Sequence, residues 1–469
     1  MKKTIILTCF TCFIAQMYPL SISAQKSDKS DKMAEDALFI RKIYDKALTE
    51  SRAYAWLTTL CTTIGPRLSG SANAEKAVKW TQQMLDTSGF ATRLMPCMVP
   101  HWVRGDKEIV KMTSKKGKFS LEALSIGNAV GTGKKGVEAE IIEVKSLDDV
   151  DKLGEKVKGK IVFYNRPMDK TQVSTSAAYG GAGDQRYAGP SRAAKYGALA
   201  VIVRSLTTEL DDRPHTGTLV YDTKYPKIPA VCISTNDAEK VSKLLVSEGK
   251  VTVFIKTMCE MLPDVPSNNV IGEIKGSEFP NEIILIGGHL DSWDPAQGAH
   301  DDGAGTVHSM DVLNILKQAG YKPKRTIRCV LFMNEENGGR GGTKYAEEAN
   351  KSGEKHIFAL ESDGGGFTPR GISFDADPSV FSEKFKQIAI WEDLLKPYGI
   401  EFSKGGSGAD IGPLKPLKFM LAGLRPDSQR YFDLHHTTHD RIENVHKREL
   451  ELGAAAITAT VYLIDKYGL

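Results

Sequence analysis

From residue 263 onward the chain alternates apolar runs of strand length with helical stretches, and that rhythm restricts the fold more than any other feature. EIILIGG (282–288), IRCVLFM (327–333), HIFALES (356–362) and FMLAG (419–423) are near-continuous apolar runs, as strands covered on both faces require. Residues 303–319, 341–350, 380–396 and 447–466 carry helical patterning between and after them. The alternation predicts an α/β fold with a mostly parallel sheet under two layers of helix. Upstream, 36–62 reads as helix until GPRLSG (65–70) breaks it. A further helix over 74–86 puts Ala74, Ala77, Val78, Thr81 and Leu85 on one face, with Gly89 beyond its end.

The texture changes between 113 and 262. Short β-like runs (VEAEIIEV, KIVFYN, ALAVIVRS, AVCIS) alternate with glycine-rich turns and one Ala-rich helix at 191–196, which reads as a β-rich insertion. GAGDQRYAGPSRAAKYGA is dense in glycine but lacks the GxxxxGK[ST] spacing of a phosphate loop, so a surface loop is expected there. A chain of 469 residues accommodates two or three domains. The expected division is a signal segment at 1–24, an N-terminal part of the main domain at 25–112, the insertion at 113–262, and the main domain's principal part at 263–469.

Lys2 and Lys3, the mostly apolar run 4–20 and the small residues Ser21 to Ala24 form an export signal. The apolar run contains Thr8, Thr11 and Gln16 and falls short of the ~20 residues a membrane span needs. The mature chain is expected to be exported, without a membrane span, and to begin with a polar leader at 25–36. Lys+Arg 62 against Asp+Glu 58 leaves a net charge of +4, and no basic field for nucleic acid. Cys9 and Cys12 leave with the signal. Cys61, Cys97, Cys232, Cys259 and Cys329 remain, an odd set with no evident pairing, and Cys329 reads as buried in a strand.

Polar clusters directly follow three of the apolar runs: His289-Leu290-Asp291, Asn334-Glu335-Glu336 and Asp363. In open α/β sheets ligands bind beyond the carboxyl ends of the strands, so these side chains should meet in one crevice. His300-Asp301-Asp302-Gly303 and His435-His436-Thr437-Thr438-His439-Asp440 add two loop clusters. Any one of these reads as a cap or turn. Adjacent acids in a crevice, however, repel unless a cation compensates. Five clusters in register point to metal, and imidazole plus carboxylate without Cys suits Zn²⁺, Mn²⁺ or Co²⁺. The surplus of acids points to two metals sharing a carboxylate, with one member of the Glu-Glu pair binding metal and the other moving the water's proton.

GGHLDSWD (287–294), GAHDDGAG (298–305), FMNEENGGRGG (332–342), ESDGG (361–365) and HHTTHD (435–440) resemble the co-catalytic zinc aminopeptidases. The resemblance is strongest to their plasma glutamate carboxypeptidase, or carboxypeptidase Q, branch. GPRLSGSANAEKAV resembles that family's N-terminal segment, and 113–262 its protease-associated insert. The resemblance implies two Zn²⁺, one held by His289, Asp301 and Asp363 and the other by Asp301, Glu336 and His436, with Asp301 as bridge. It implies Glu335 as general base, Asp291 as the carboxylate orienting His289, and a cis bond between Asp301 and Asp302. His436 is preferred to His435 or His439 because His-Thr-x-x-Asp (436–440) matches the family spacing. Where some relatives carry an oxyanion-donating Tyr, this chain has His435, which takes that role or leaves it to metal. The implied activity is hydrolysis of short peptides, as an aminopeptidase or dipeptidase ahead of a glutamate-releasing carboxypeptidase, in a homodimer.

Two other classes compete. Two-metal carboxylate sites also cleave phosphate esters, but Arg340 is the only Arg or Lys within the five motifs. A receptor-like binding protein would lack some ligands, and here all five and the base are present.

Overall fold

The computed structural model describes the backbone from Ser21 to Leu469 and side chains from Asp31 onward. Most of the expected signal segment, with Cys9 and Cys12, lies outside the described residues.

The apolar runs lie at the middle of an eight-stranded sheet. Its strands are β1 (Ala91–Val103), β2 (Glu260–Ile274), β3 (Phe279–His289), β4 (Arg325–Phe332), β5 (Lys355–Glu361), β6 (Pro369–Asp375), β7 (Glu401–Lys404) and β8 (Met420–Pro426). Their spatial order is β1-β2-β4-β3-β5-β8-β6-β7. The four central strands β4, β3, β5 and β8 are parallel, as the apolar runs predict. The flanks are not: β1 on β2, β2 on β4 and β6 on β8 pair antiparallel, so the sheet is mixed. Residues 91–103 form one long strand. Pro96 and Pro100 are compatible with it because β1 is an edge strand, where a missing N–H costs no ladder bond.

Helix Ala304–Gln318 packs within the core, with residues 304–316 all buried. The closing helix Lys447–Tyr467 is nearly as enclosed along its length. Helix Ala72–Thr87 buries Ala74, Ala77, Val78, Thr81 and Leu85, the face its spacing predicts, and Ser71 Oγ caps it by accepting from Ala74 N. The expected helix 380–396 is two, Pro378–Ala389 and Glu392–Leu395. The leader at 25–36 is not separate either. It continues into helix Ser21–Thr49, whose later turns bury Ile40, Ile43, Tyr44 and Ala47.

Residues 109–256 build a second eight-stranded sheet. Its centre, Val137–Val144, Ile161–Tyr164, Ala200–Arg204 and Ala230–Ile233, is parallel. Helices join it, notably Leu147–Leu153 and Thr235–Glu248, so the segment is less purely β than its short apolar runs suggest. The glycine-dense stretch is not a surface loop. It forms two helical turns, Asp184–Tyr187 and Gly189–Ala194, and buries Gln185 and Arg186. The two sheets meet closely at Gly127: a Cβ there would lie 1.8 Å from the Trp293 ring. Among the described residues all five cysteines are free and buried, and no helix is long and apolar enough to cross a membrane.

Asp311, on the core helix, ties the N-terminal segment to the sheet domain. Its carboxylate accepts from Ser51 Oγ at 2.6 Å, Arg52 N at 3.1 Å and Asn314 Nδ2 at 2.9 Å. Burial nevertheless raises its pKa from 3.8 to about 6. A carboxyl that keeps its proton longer when folded stabilises the native state at low pH and loses that contribution as pH rises through the folded value. Asp311→Asn keeps the acceptor for Arg52 and removes the titration. Wild-type stability relative to this variant should fall by about 3 kcal/mol between about pH 4 and about pH 7, on ~1.4 kcal/mol per pKa unit. Urea melts of both proteins across that range check it; a constant difference would show that Asp311 titrates normally.

Candidate metal centre

The parallel strands deliver the polar clusters to one edge of the first sheet. His289 ends β3 beside Phe332, the last residue of β4. Glu335 and Glu336 follow β4, Asp363 follows β5, and His435 and His436 follow the helical turn Tyr431–Leu434 beyond β8. Asp301 lies in the turn Ala299–Gly303 ahead of the core helix. The approach requires small residues: a Cβ on Gly288 would lie 2.5 Å from Asp302 Oδ2.

Asp301 stands at the centre. Its Oδ1 is 3.2 Å from His289 Nε2, and its Oδ2 is 3.0 Å from His436 Nε2 and 3.4 Å from His435 Nε2. His289 Nε2 is also 3.7 Å from Asp363 Oδ1 and 4.0 Å from Glu335 Oε2, while His436 Nε2 is 3.2 Å from Glu336 Oε2. Three sets of possible ligand atoms each cluster within 4.8 Å: Asp301-His435-His436, His289-Asp301-Glu336 and His289-Asp302-Asp363. Asp302 is the weaker candidate, because its Oδ2 already accepts from His289 N at 3.0 Å and its Oδ1 from Gly305 N at 2.8 Å. The Asp301–Asp302 peptide bond is cis, as the family resemblance implies.

The ring tautomers follow from the other nitrogens. His289 Nδ1 is 3.0 Å from the Asp291 carbonyl, and His436 Nδ1 is 3.2 Å from the Thr216 carbonyl. A carbonyl only accepts, so both Nδ1 atoms carry the proton and both Nε2 lone pairs are left facing carboxylate oxygens. Acceptor against acceptor is repulsive unless a proton or a cation lies between them. Buried Asp301 Oδ2 has no hydrogen-bond partner in the protein. The electrostatics agree. Burial would push both histidines down, but Asp301 and Asp363 around His289, and Glu336 and Asp301 around His436, hold them well above their ordinary value. Glu336 is pushed up to about 7 by burial and the Asp301 charge, and burial raises Glu335 well above the usual carboxylate range. This donor set fits a bound cation, and its mix of imidazole and carboxylate without thiolate fits zinc.

Asp291 acts differently from expectation. Its carboxylate is 3.8 Å from His289 Nδ1, and its carbonyl accepts the ring proton instead. The carboxylate holds the turn after β4, accepting from Asn334 N at 2.8 Å and Glu335 N at 3.1 Å. His435 stacks on His436, with ring centroids 3.5 Å apart, and burial keeps it neutral well below its ordinary pKa.

Asp440, named in the last loop cluster, supports the site through backbone contacts that its spacing does not reveal, and Arg67 and Ser69 were not evident as contributors at all. Asp440 accepts from His300 N and Asp301 N, at 2.6 and 3.0 Å. Arg67, wholly buried, donates to the carbonyls of Leu290, Gln297 and Gly298 at 2.6, 2.6 and 2.9 Å and so shapes the loop after β3. Ser69 Oγ accepts from Asn334 Nδ2 at 2.8 Å. GPRLSG, read as a breaker, is therefore structural support for the site. A cavity of about 740 Å³ opens onto Asp301, Glu335, Glu336, Asp363, His435 and His436. Its walls include Arg186 and Tyr179 from the second sheet's segment and Arg425 near the end of β8. Arg340, within the FMNEENGGRGG motif, is outside the cavity lining and pairs with Asp264 at 2.5 Å.

The chain is similar to known proteins along most of its length. Residues 269–461 match the profile of peptidase family M28. The chain is 36% identical to carboxypeptidase Q of Bos taurus over 427 residues, covering 90% of this chain and 86% of that protein. Homo sapiens carboxypeptidase Q matches to the same extent. The crystal structure of a peptidase M28 precursor from Shewanella amazonensis SB2B superposes with a TM-score of 0.87 at 30% identity, covering 93% of this chain and 98% of that one. An aminopeptidase from Aneurinibacillus sp. strain AM-1 shares the fold at a TM-score of 0.61 and 21% identity. With relatives above 30% identity over about nine-tenths of its length and a family profile matched over residues 269–461, the chain belongs to peptidase family M28.

Proposed function

We propose that the protein is a di-zinc exopeptidase acting on short peptides. The observation that carries this reading is Asp301, whose two carboxylate oxygens face two imidazoles already committed to the metal-binding tautomer. His289, Asp301 and Asp363 would hold one zinc; Asp301, Glu336 and His436 would hold the other. Zinc bound there supplies Lewis acidity, which acidifies water and polarises the scissile carbonyl.

The chain's own groups do the rest. Glu335 faces the cavity from the turn that the Asp291 carboxylate holds, and its raised pKa suits a carboxyl that takes a proton at Oε and returns it to the leaving amine. Asp291 fixes both that turn and the His289 ring. His435, whose Nε2 is 3.4 Å from Asp301 Oδ2, would donate to a developing oxyanion, or leave that role to metal. The second sheet's segment walls the cavity and, in this reading, is the protease-associated-like insertion. Residues 1–24 direct export, and the enzyme forms a homodimer.

Cleavage at a free N-terminus or within dipeptides is the primary reading. Removal of a C-terminal residue is the second, favoured by relatives of 36% identity that are named carboxypeptidases. A peptide panel with either terminus blocked separates them: the primary reading requires N-acetylation to abolish cleavage and C-amidation to spare it.

Chelation should abolish hydrolysis and Zn²⁺ should restore it; full activity in the stripped protein would end the proposal. Glu335→Gln removes the proton acceptor while preserving volume and ligands. It should lower turnover by roughly 10²–10⁴-fold with zinc content unchanged by elemental analysis. Loss of zinc together with activity would show that Glu335 and Glu336 have exchanged roles.

A further inference from the structure

The contact behind His436 comes from the other sheet's segment, and it is built on both sides. Thr216 N donates to the His436 carbonyl at 3.0 Å, and His436 Nδ1 donates back to the Thr216 carbonyl at 3.2 Å. One residue earlier, His215 Nδ1 lies 2.9 Å from the His435 carbonyl. His436 has φ of +62°, a left-handed conformation that a side-chain-bearing residue keeps only when its surroundings hold it.

Segment 215–217 is itself anchored. The Thr216 carbonyl also accepts from Arg186 Nη1 at 2.9 Å, Thr216 Oγ1 donates to Ser125 O at 2.8 Å, and Gly217 O accepts from Gly127 N at 2.8 Å. Arg186 is buried and its Nη2 reaches Tyr179 Oη at 2.5 Å. Gly217 has φ of +134°, and a Cβ on it would lie 2.4 Å from the Arg186 guanidinium carbon. The guanidinium, the carbonyl and the imidazole thus form one packed chain.

We propose that segment 215–217 is a positioning element for metal binding: the Thr216 carbonyl, held in place by Arg186, fixes the tautomer and direction of His436. Zinc affinity on the His436 side of the site then depends on a segment that supplies no ligand. Arg186 and Thr216 are positioning residues. The inference rests on the reading of His436 as a ligand, so its test must separate the two.

The full chain is stripped of metal and titrated with Zn²⁺ against a competing fluorescent chelator, with Co²⁺ spectra as a second readout. Arg186→Met and Gly217→Ala should each weaken one of two zinc affinities by about 10–100-fold, the usual effect of losing a ligand's outer hydrogen bond, and leave the other unchanged. Arg186→Lys, which keeps a donor and the charge, should lose less. A general packing defect would weaken both affinities together and so overturn the proposal. Wild-type affinities in Arg186→Met and Gly217→Ala, alongside loss of one zinc in His436→Ala, would also overturn it while preserving His436 as a ligand. Two zincs retained by His436→Ala would remove the ligand reading and this inference with it. If either variant does not fold, Arg186→Lys decides: affinities equal to wild type on both sides refute the role, and one-sided weakening supports it.

Discussion

Two main-chain carbonyls impose the order of the whole centre. Asp291 and Thr216 each take the Nδ1 proton of one histidine, and so turn both Nε2 lone pairs toward Asp301. A side chain could swing away from such a face; a main-chain carbonyl moves only with its backbone, and that of Thr216 is held further by Arg186. The site is therefore committed to hosting positive charge before any ligand arrives. Around it the acids are displaced in opposite directions, Glu336 upward by burial and the Asp301 charge, and Asp301 downward by the imidazoles that face it.

That commitment is costly in a low-dielectric interior, where like charges repel strongly. The protein answers with a stiff frame. Asp302 spends both oxygens on backbone N–H groups, Asp440 holds His300 and Asp301, and Arg67 closes the loop after β3 through three carbonyls. Each contact fixes backbone rather than another flexible side chain, so relaxation cannot relieve the crowding of carboxylates.

Much of this was legible in the sequence. The four central parallel strands announce themselves as apolar runs, and the acids and histidines after them follow from the rule that such sheets bind ligands at their carboxyl ends. Asp301 against Asp302 rests on family spacing, and the hydrogen bonds of Asp302 give a physical reason for the choice. The antiparallel flanks were hidden because β1 carries two prolines and little alternation, tolerated only at a sheet edge. Arg67, Arg186 and Thr216 were hidden for a different reason. Their partners lie 220 or more residues away, or are backbone atoms, and local spacing carries no trace of either. The glycine-dense stretch misled in the same way, since its packing against Tyr164 and Thr216 is tertiary.

The centre also has a history along the chain. Arg67 lies near the beginning, Thr216 in the middle and His436 near the end, and the parallel strands between them pair only through long crossovers. Such non-local contacts form late in folding, after chain closure over large loops. A chain still being synthesised lacks His436 and Asp440, and with them the contacts they make to Asp301. Completion of the centre is thus coupled to completion of the chain, and a fragment that ends before His436 carries the crowded acids without the imidazole and the Asp440 contacts that arrange them.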